Sequence, residues 1–384
     1  MELNRRLLRV AVTCLMLVGW AVVGAEALQI KDVSIDKTVF NPTAGQQLDI
    51  SFRLDTEARV TALVLDADLF PVATLADARL CRPGVTVLRW NGRDDAGAVV
   101  PNEAYTVRIE AVTDLGVKSI FDSASVSGGE SIGYFPVEMD RSAGRIRFTT
   151  ATAVRVQLLA GIVDGPLMAT ITDWQPYPAG NHEVAWDGYD ESHITKVWDN
   201  KRFKLLARAY KLPNLCVITQ GNATDYMDYW SATAAKQGMT AVQYRISTKK
   251  GLASRVYGKT ARAKALSDGR VRLGSPYLSG RFKNQAARFT LESIPAASKT
   301  GKSAPVDIRI SVDKVFKQIL DEQRYEYVMY VDGVLQGEQE TGFSPYSWTL
   351  DTTEMSAGKH LVTVNIATVD GQTGAASTWI EVAE

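Results

Sequence analysis

The sequence predicts an all-β protein: tandem β-sandwiches strung into an elongated, multidomain chain. Three observations predict it. Short segments alternate apolar and polar side chains, as in Thr106-Val107-Arg108-Ile109-Glu110-Ala111, the mark of a strand with one buried face. Turn pairs such as Asn91-Gly92 and Asp187-Gly188 punctuate those segments and supply the positive φ that tight turns demand. A common layout also occurs twice in the first two-thirds of the chain.

The N-terminus reads as a targeting signal. Arg5, Arg6 and Arg9 precede an apolar run from Val10 to Val23, and Ala25-Glu26-Ala27 places small residues at −1 and −3 of a peptidase site. The run is short for a bilayer span, which needs about 20 apolar residues. Residues 1–27 are therefore expected to be a cleaved secretory signal, with a retained anchor as the alternative, and no later segment is apolar enough to span a membrane. The chain is expected in the periplasm, on the cell surface or outside the cell. In such an oxidising compartment Cys81 and Cys216 could form one bridge, about 4–5 kcal/mol in the chain-entropy view for so long a loop. The alternative is two unpaired thiols in separate domains.

The first repeat copy runs from Leu48 through strands to Trp90-Asn91-Gly92 and ends in the strand Tyr105–Val112; residues 28–127 form the first expected domain. The second runs from Gly144 through Trp186-Asp187-Gly188 to the strand Phe203–Ala209, within residues 128–222. Strands of this length, separated by turn signals and without convincing amphipathic helices, indicate sandwiches of immunoglobulin type. Trp90 and Trp186 are expected to plug the ends of their sandwiches.

At these residues a resemblance enters. The run from Gly84 to Arg108, with Trp-Asn-Gly-Arg-Asp-Asp-Ala-Gly and then Val100-Pro101 and Tyr105, resembles the Ig-like domain of the flagellar hook-cap protein (FlgD type). Family members carry W-D-G-x-D-x-x-G-x-x-V/L-P-x-G-x-Y there; this chain departs from it at Asn91 and at Glu103-Ala104. The second copy keeps Trp186-Asp187-Gly188 and Asp190 but replaces the Gly/Pro turn by an insertion from Glu191 to Asn200. The resemblance implies the fold, and a spacer or docking role rather than the hook-cap role itself, because the flagellar family uses its own export route.

Residues 223–302 change character. Between Ser231 and Leu291 there are 13 lysines and arginines and one acid, Asp268, whereas Leu28 to Val112 holds 12 acids and 9 bases. Lys249, Lys250, Arg255, Lys259, Arg262, Lys264, Arg270 and Arg272 are the candidate binding residues, for an envelope or surface protein or an anionic polymer. A merely solvated face, balanced by the acidic first domain, is the alternative. Alternation in Ala241–Ile246 and Gly269–Leu273 suggests a β-rich connector or insertion. From 303 to 384 the strand pattern renews, with Val306–Val312, the hairpin pair Asp332-Gly333, Trp348, His360 beside a turn glycine, and a closing strand Ser377–Val382. This stretch resembles the Ig-like modules that end many bacterial surface proteins, in which the histidine is structural.

Catalytic chemistry is weakly provided for. The whole chain has 3 histidines and 3 cysteines, no CxxC, and no HExxH or P-loop motif. Acids equal bases at 43 each, so no global charge points to nucleic acid. Asp173, Asp187, Asp190, Asp225 and Asp228 are scattered acids, and Asn91, Asp94 and Asp95 could offer oxygens to Ca²⁺ or simply bond their own backbone. The reading is an exported, non-catalytic structural or interaction protein with no cofactor. The alternative is a carbohydrate-binding protein that stacks sugars on an exposed platform of Tyr226, Tyr229 and Trp230.

Overall fold

A computed structural model of the chain describes residues 28–133, 135–240, 243, 263–265, 271–273, 277, 285–295, 305–321, 324–369 and 371–383. The chain is all-β, arranged as tandem sandwiches. The expected signal, residues 1–27, lies outside the described residues.

In the first sandwich one sheet is β1 (Ile30–Ile35), β3 (Leu48–Leu54) and β6 (Gly84–Trp90), in the order β1-β3-β6. The facing sheet contains β2 (Val39–Phe40), β4 (Ala58–Leu65), β5 (Pro71–Cys81), β7 (Ala104–Val112) and β8 (Lys118–Asp122). Alternation decides which side chains enter the core. Leu48, Ile50, Phe52 and Leu54 of β3 and Ala58, Val60, Ala62 and Val64 of β4 are buried. Trp90 closes this core edge-on against Phe40 and Tyr105, at ring centroid distances of 5.4 and 5.2 Å. In β7 the second face is buried as well, against the sequence expectation of one buried face: Thr106 and Arg108 are covered, and Arg108 lies 3.5 Å from Asp122 and 3.4 Å from Glu110.

The second sandwich pairs β9 (Val137–Asp140), β10 (Arg145–Thr150) and β13 (Gly180–Ala185) in one sheet with β11 (Val154–Ile162), β12 (Leu167–Tyr177) and β14 (Phe203–Lys211) in the other. Its core holds Phe135, Ile146, Phe148, Val156 and Leu158. The chain does not stay there to residue 222, as the sequence suggested. It returns at β15 (Val217–Thr219), which enters the first sandwich parallel to β2 and antiparallel to β7. The cause is a gap: β8 pairs only with Arg108–Val112, leaving Ala104 and Tyr105 free on that side for Ile218 and Val217.

Helices among the described residues qualify the expected absence of helices; they include α1 (Ser123–Val126), α2 (Tyr226–Lys236) and α3 (Lys314–Asp321). The stretch 223–302 is likewise not one unit. α2 packs on the first sandwich; β16 (Ala263–Ala265) and β17 (Val271–Leu273) form an antiparallel pair; and β18 (Phe289–Pro295) opens the third sandwich. There β18 joins β19 (Val306–Val312) and β22 (Tyr346–Leu350), opposite β20 (Tyr325–Val331), β21 (Val334–Gln339), β23 (Gly358–Thr368) and β24 (Thr373–Val382) in the order β21-β20-β23-β24. Asp332-Gly333 makes the two-residue hairpin between β20 and β21, with Val331 opposite Val334.

The two copies of the Trp turn have the same bonding. Trp90 Nε1 donates to the carbonyl of Arg93 and Trp186 Nε1 to that of Tyr189, at 2.9 and 3.0 Å. Asn91 Oδ1 accepts from the Arg93 amide and Asp187 Oδ1 from the Tyr189 amide. Gly92 has φ 72°, and a Cβ there would lie 2.4 Å from Pro42. The substitution Gly92→Ala should therefore cost the left-handed penalty of about 1–2 kcal/mol plus the overlap with Pro42. Gly97→Ala, at φ 83° with nothing within 4 Å, should cost the backbone part alone. Urea midpoints of the two variants check this; equal losses would contradict the packing of Pro42 on the turn.

Candidate interaction surfaces and interdomain joints

The acids that could have been catalytic are engaged in holding turns and caps. Asp187 bonds its own turn, and Asp190 Oδ1 accepts from the amides of Ile194 and Thr195, both at 2.8 Å. Asp225 caps α2 through the amides of Met227 and Asp228, while Asp228 pairs with Arg288 at 2.8 Å. The oxygens considered for Ca²⁺ are similarly engaged: Asp94 Oδ1 accepts from Ala96 and Ala98, and Asp95 bonds both the amide and hydroxyl of Thr74. The Asn222 side-chain amide donates to the carbonyls of Val99 and Val100.

The aromatic platform does not exist. Tyr226, Tyr229 and Trp230 are buried because they lie on the face of α2 that closes the first sandwich. Tyr226 donates to Asp66 Oδ2 at 2.8 Å, Tyr229 to Asp94 Oδ2 at 2.9 Å, and Trp230 packs on Phe70. Sugar stacking on these three rings is thereby overturned.

Of the basic candidates, Lys249, Lys250, Arg255, Lys259, Arg262 and Arg270 lie outside the described residues; Lys264 and Arg272 occupy partnered backbone positions of β16 and β17. The Cys81–Cys216 bridge is not made. Both thiols are free and buried, Cys81 in the core of the first sandwich and Cys216 in a separate cluster with Trp174, Leu212 and Tyr277. Burial pushes the Cys216 thiol up to about 12, so it is inert at physiological pH.

What the sequence reading missed are the joints between sandwiches. Between the first and second, Arg155 of β11 meets Glu103, just before β7, at 2.5 Å, with both side chains nearly or fully buried. Arg155 also donates to the carbonyl of Trp174 at 2.9 Å, and Glu103 accepts from the Ala104 amide. Burial works most strongly against the guanidinium's charge, but Glu103 and Tyr277 together outweigh it and raise the group above its ordinary value. Between the second and third, Asn365 of β23 bonds both the amide and carbonyl of Leu167, and Ser192 accepts from the Ser377 amide. There too Asp173 accepts from the Ala286 amide and, at 3.4 Å, from Gln157. Burial raises the Asp173 carboxyl to about 6, and the acids Glu191 and Asp225 add to the rise.

Among the described residues, grooves open to solvent include two on the first and second sandwiches. One, of about 430 Å³, lies over β10 and β13 and is lined by Glu138, Arg147, Thr149, Asn181, His182 and Glu183 among others. Its polar side chains bond each other across strands, Arg147 to Glu183 at 2.8 Å and Thr149 to Asn181 at 2.7 Å. The other, about 380 Å³, runs beside the first Trp turn past Thr74, Arg89, Arg93 and Asp95. No group of three or more potential metal ligands gathers among the described residues.

No protein-family model matches the chain, and no curated protein matches it in sequence. Among solved structures, it overlaps loosely with one concerning host cell surface retention of a 1.5-MDa bacterial ice-binding adhesin: 9% identity, 92% of this chain and 96% of that one, TM-score 0.19. A tetra-tandem repeat from the extending region of a large adhesion protein shows 13% identity over 92% of this chain and 74% of its own, TM-score 0.18. The E. coli chaperone DraB shows 15% identity over 40% and 85%, TM-score 0.20.

Two outcomes follow from the joints. Arg155→Met leaves Glu103 buried without its cation and should lose about 3–5 kcal/mol in urea unfolding, most of it recovered when Glu103→Gln is added. Asp173 binds its proton more tightly folded than unfolded, so stability should fall as pH rises from about 4 to about 6. The variant Asp173→Asn, which keeps an acceptor for Ala286, should remove that slope and be the more stable protein at pH 7; a slope that persists in the variant would contradict this.

Proposed function

We propose that this chain is an exported, non-catalytic scaffold of the bacterial envelope or surface, whose sandwiches hold docking surfaces in fixed relative positions. The observation that supports it most directly is how the polar groups are used. Buried charges and amides on three separate sandwiches are committed to one another across the joints, and the carboxylates of Asp190 and Asp225 to a turn and a helix cap. A binding protein gains from such rigidity, because ordering has been completed before the partner arrives. The FlgD-type kinship of the first two sandwiches belongs to the same proposal; the doubly occurring Trp turn, with its shared bonding, supports it. Export rests on the basic and apolar N-terminus. Among the described residues no helix is long and apolar enough to cross a membrane.

The basic stretch is the contact region in this reading, and an envelope protein or anionic polymer is its partner. Fractionation of cells expressing the full chain should place it in the envelope or medium with a mature N-terminus near Leu28. Reversal of Lys249, Lys250, Arg255 and Lys259 to Glu should abolish retention on an anionic matrix at low salt while the thermal transition stays in place. Unchanged retention would remove the basic stretch as the contact region, and a cytoplasmic chain with its first residues intact would remove the scaffold's export.

A further inference from the structure

His360 is not explained by any docking role, and its surroundings are specific. It sits at the start of β23, nearly buried, between two acceptors. Nδ1 lies 2.6 Å from Asp332 Oδ2, and Nε2 lies 2.8 Å from the backbone carbonyl of Ser356. A carbonyl oxygen can only accept, and so can an ionised carboxylate. Both ring nitrogens must then carry hydrogen, which is the imidazolium form. The same Asp332 accepts from the Leu361 amide through Oδ1, and its own amide donates to the Leu361 carbonyl. One cation thus ties the Asp332-Gly333 hairpin to the Ser356 loop.

That hairpin is also where the third sandwich touches the second. A Cβ built on Gly165, in the Ile162–Pro166 turn, would lie 3.1 Å from the Gly333 carbonyl. One built on Gly333 would lie 3.2 Å from Arg202 Nη2. Leu361, beside the histidine, packs on the small apolar cluster of Ile162, Met168 and Val197 in the second sandwich. The ring's state therefore bears on the joint that Asn365 and Ser377 continue.

We propose that His360 is a proton-operated latch: protonated, it holds the Asp332-Gly333 hairpin against the second sandwich, and on losing its proton it frees the hairpin and loosens that joint. The charged groups around it fit this assignment. Asp332 is the carboxylate in contact. Its cross-strand partner on β24, Ile380, brings no charge; Lys359 and Glu381 pair one position along, on the opposite face of the strands. From the second sandwich Arg202 reaches the hairpin, but its Nη1 points to the Val163 carbonyl; Asp164 lies in the facing turn. The hydrogen bond it donates to Asp332, then that to the Ser356 carbonyl, raises the histidine above its ordinary value near 6.5. A raised value means the latch's contribution is complete below about pH 6.5 and is lost as pH climbs through the folded-state value. Histidine is suited to that window in an exported protein, whose surroundings change pH more than the cytoplasm does.

The test uses the intact chain. Nitrogen-15 NMR of the imidazoles, assigned against His360→Asn, should show both ring nitrogens of His360 carrying hydrogen in the protonated state and a midpoint above the ordinary value near 6.5. In Asp332→Asn that midpoint should drop by at least one pH unit. Hydrogen exchange from pH 6 to 9, corrected for its intrinsic pH dependence, should show protection falling about tenfold at Asp332 and Leu361, and also at Leu167 and Ser377 on the joint, while Ile308 in the core stays unchanged. A His360 midpoint at or below 6.5 would overturn the latch. Loss of protection confined to the hairpin would overturn its coupling to the joint. His360→Asn should exchange at all pH values as the wild type does at pH 9, and wild-type protection in that variant would also overturn it.

Discussion

The Glu103–Arg155 pair constrains more of this structure than any other single contact. Two charges removed from water cost several kcal/mol each, and their attraction offsets that only when geometry is tight and the remaining hydrogen-bonding capacity is filled. Here the Trp174 carbonyl and the Ala104 amide provide much of that filling. The carboxylate belongs to the first sandwich and the guanidinium to the second, so neither domain can rotate away without leaving a buried charge unpaired. Two beads on a flexible thread would have no use for such a pair.

Chain routing reinforces the constraint. β15 fills the part of the first sandwich that β8 leaves unpaired, and α2 then seals the same core with Tyr226, Met227 and Trp230. The first sandwich is thus complete only after the whole of the second has been threaded past it. Contacts so distant in sequence carry a loop-closure cost that slows folding, and in return they bind the two units together. At the joint with the third sandwich, Thr363, Asn365 and Ser377 are polar residues on what would otherwise be an open sheet face. They are buried because Leu167 and Met168 of β12 and the Ser192 loop cover them.

The strands and turns were legible in the sequence because their chemistry is local. Alternation marked β7, the renewed strand pattern marked β19, and Asn91-Gly92, Asp187-Gly188 and Asp332-Gly333 marked tight turns where the structure has them. Joints are non-local and left fainter traces. Glu103 replaces the Gly of the FlgD-type pattern, and Arg155 and Gln157 interrupt the apolar run of β11; each is a signal of a covered face that the sequence reading did not use. β15 is three residues long, too short for any period to show. Tyr226, Tyr229 and Trp230 follow an Asp N-cap at helical spacing, so they belong to one buried helix face rather than to a flat platform. Cys81 and Cys216 are unbridged because each is enclosed in a different apolar cluster, a fact of packing that residue spacing does not encode.

The central claim is that buried polar joints fuse the sandwiches into one cooperative body. Differential scanning calorimetry of the chain tests it most directly. The account predicts a single transition whose van't Hoff enthalpy equals the calorimetric one. Three separable transitions, each unmoved by a substitution in its neighbour, would contradict it.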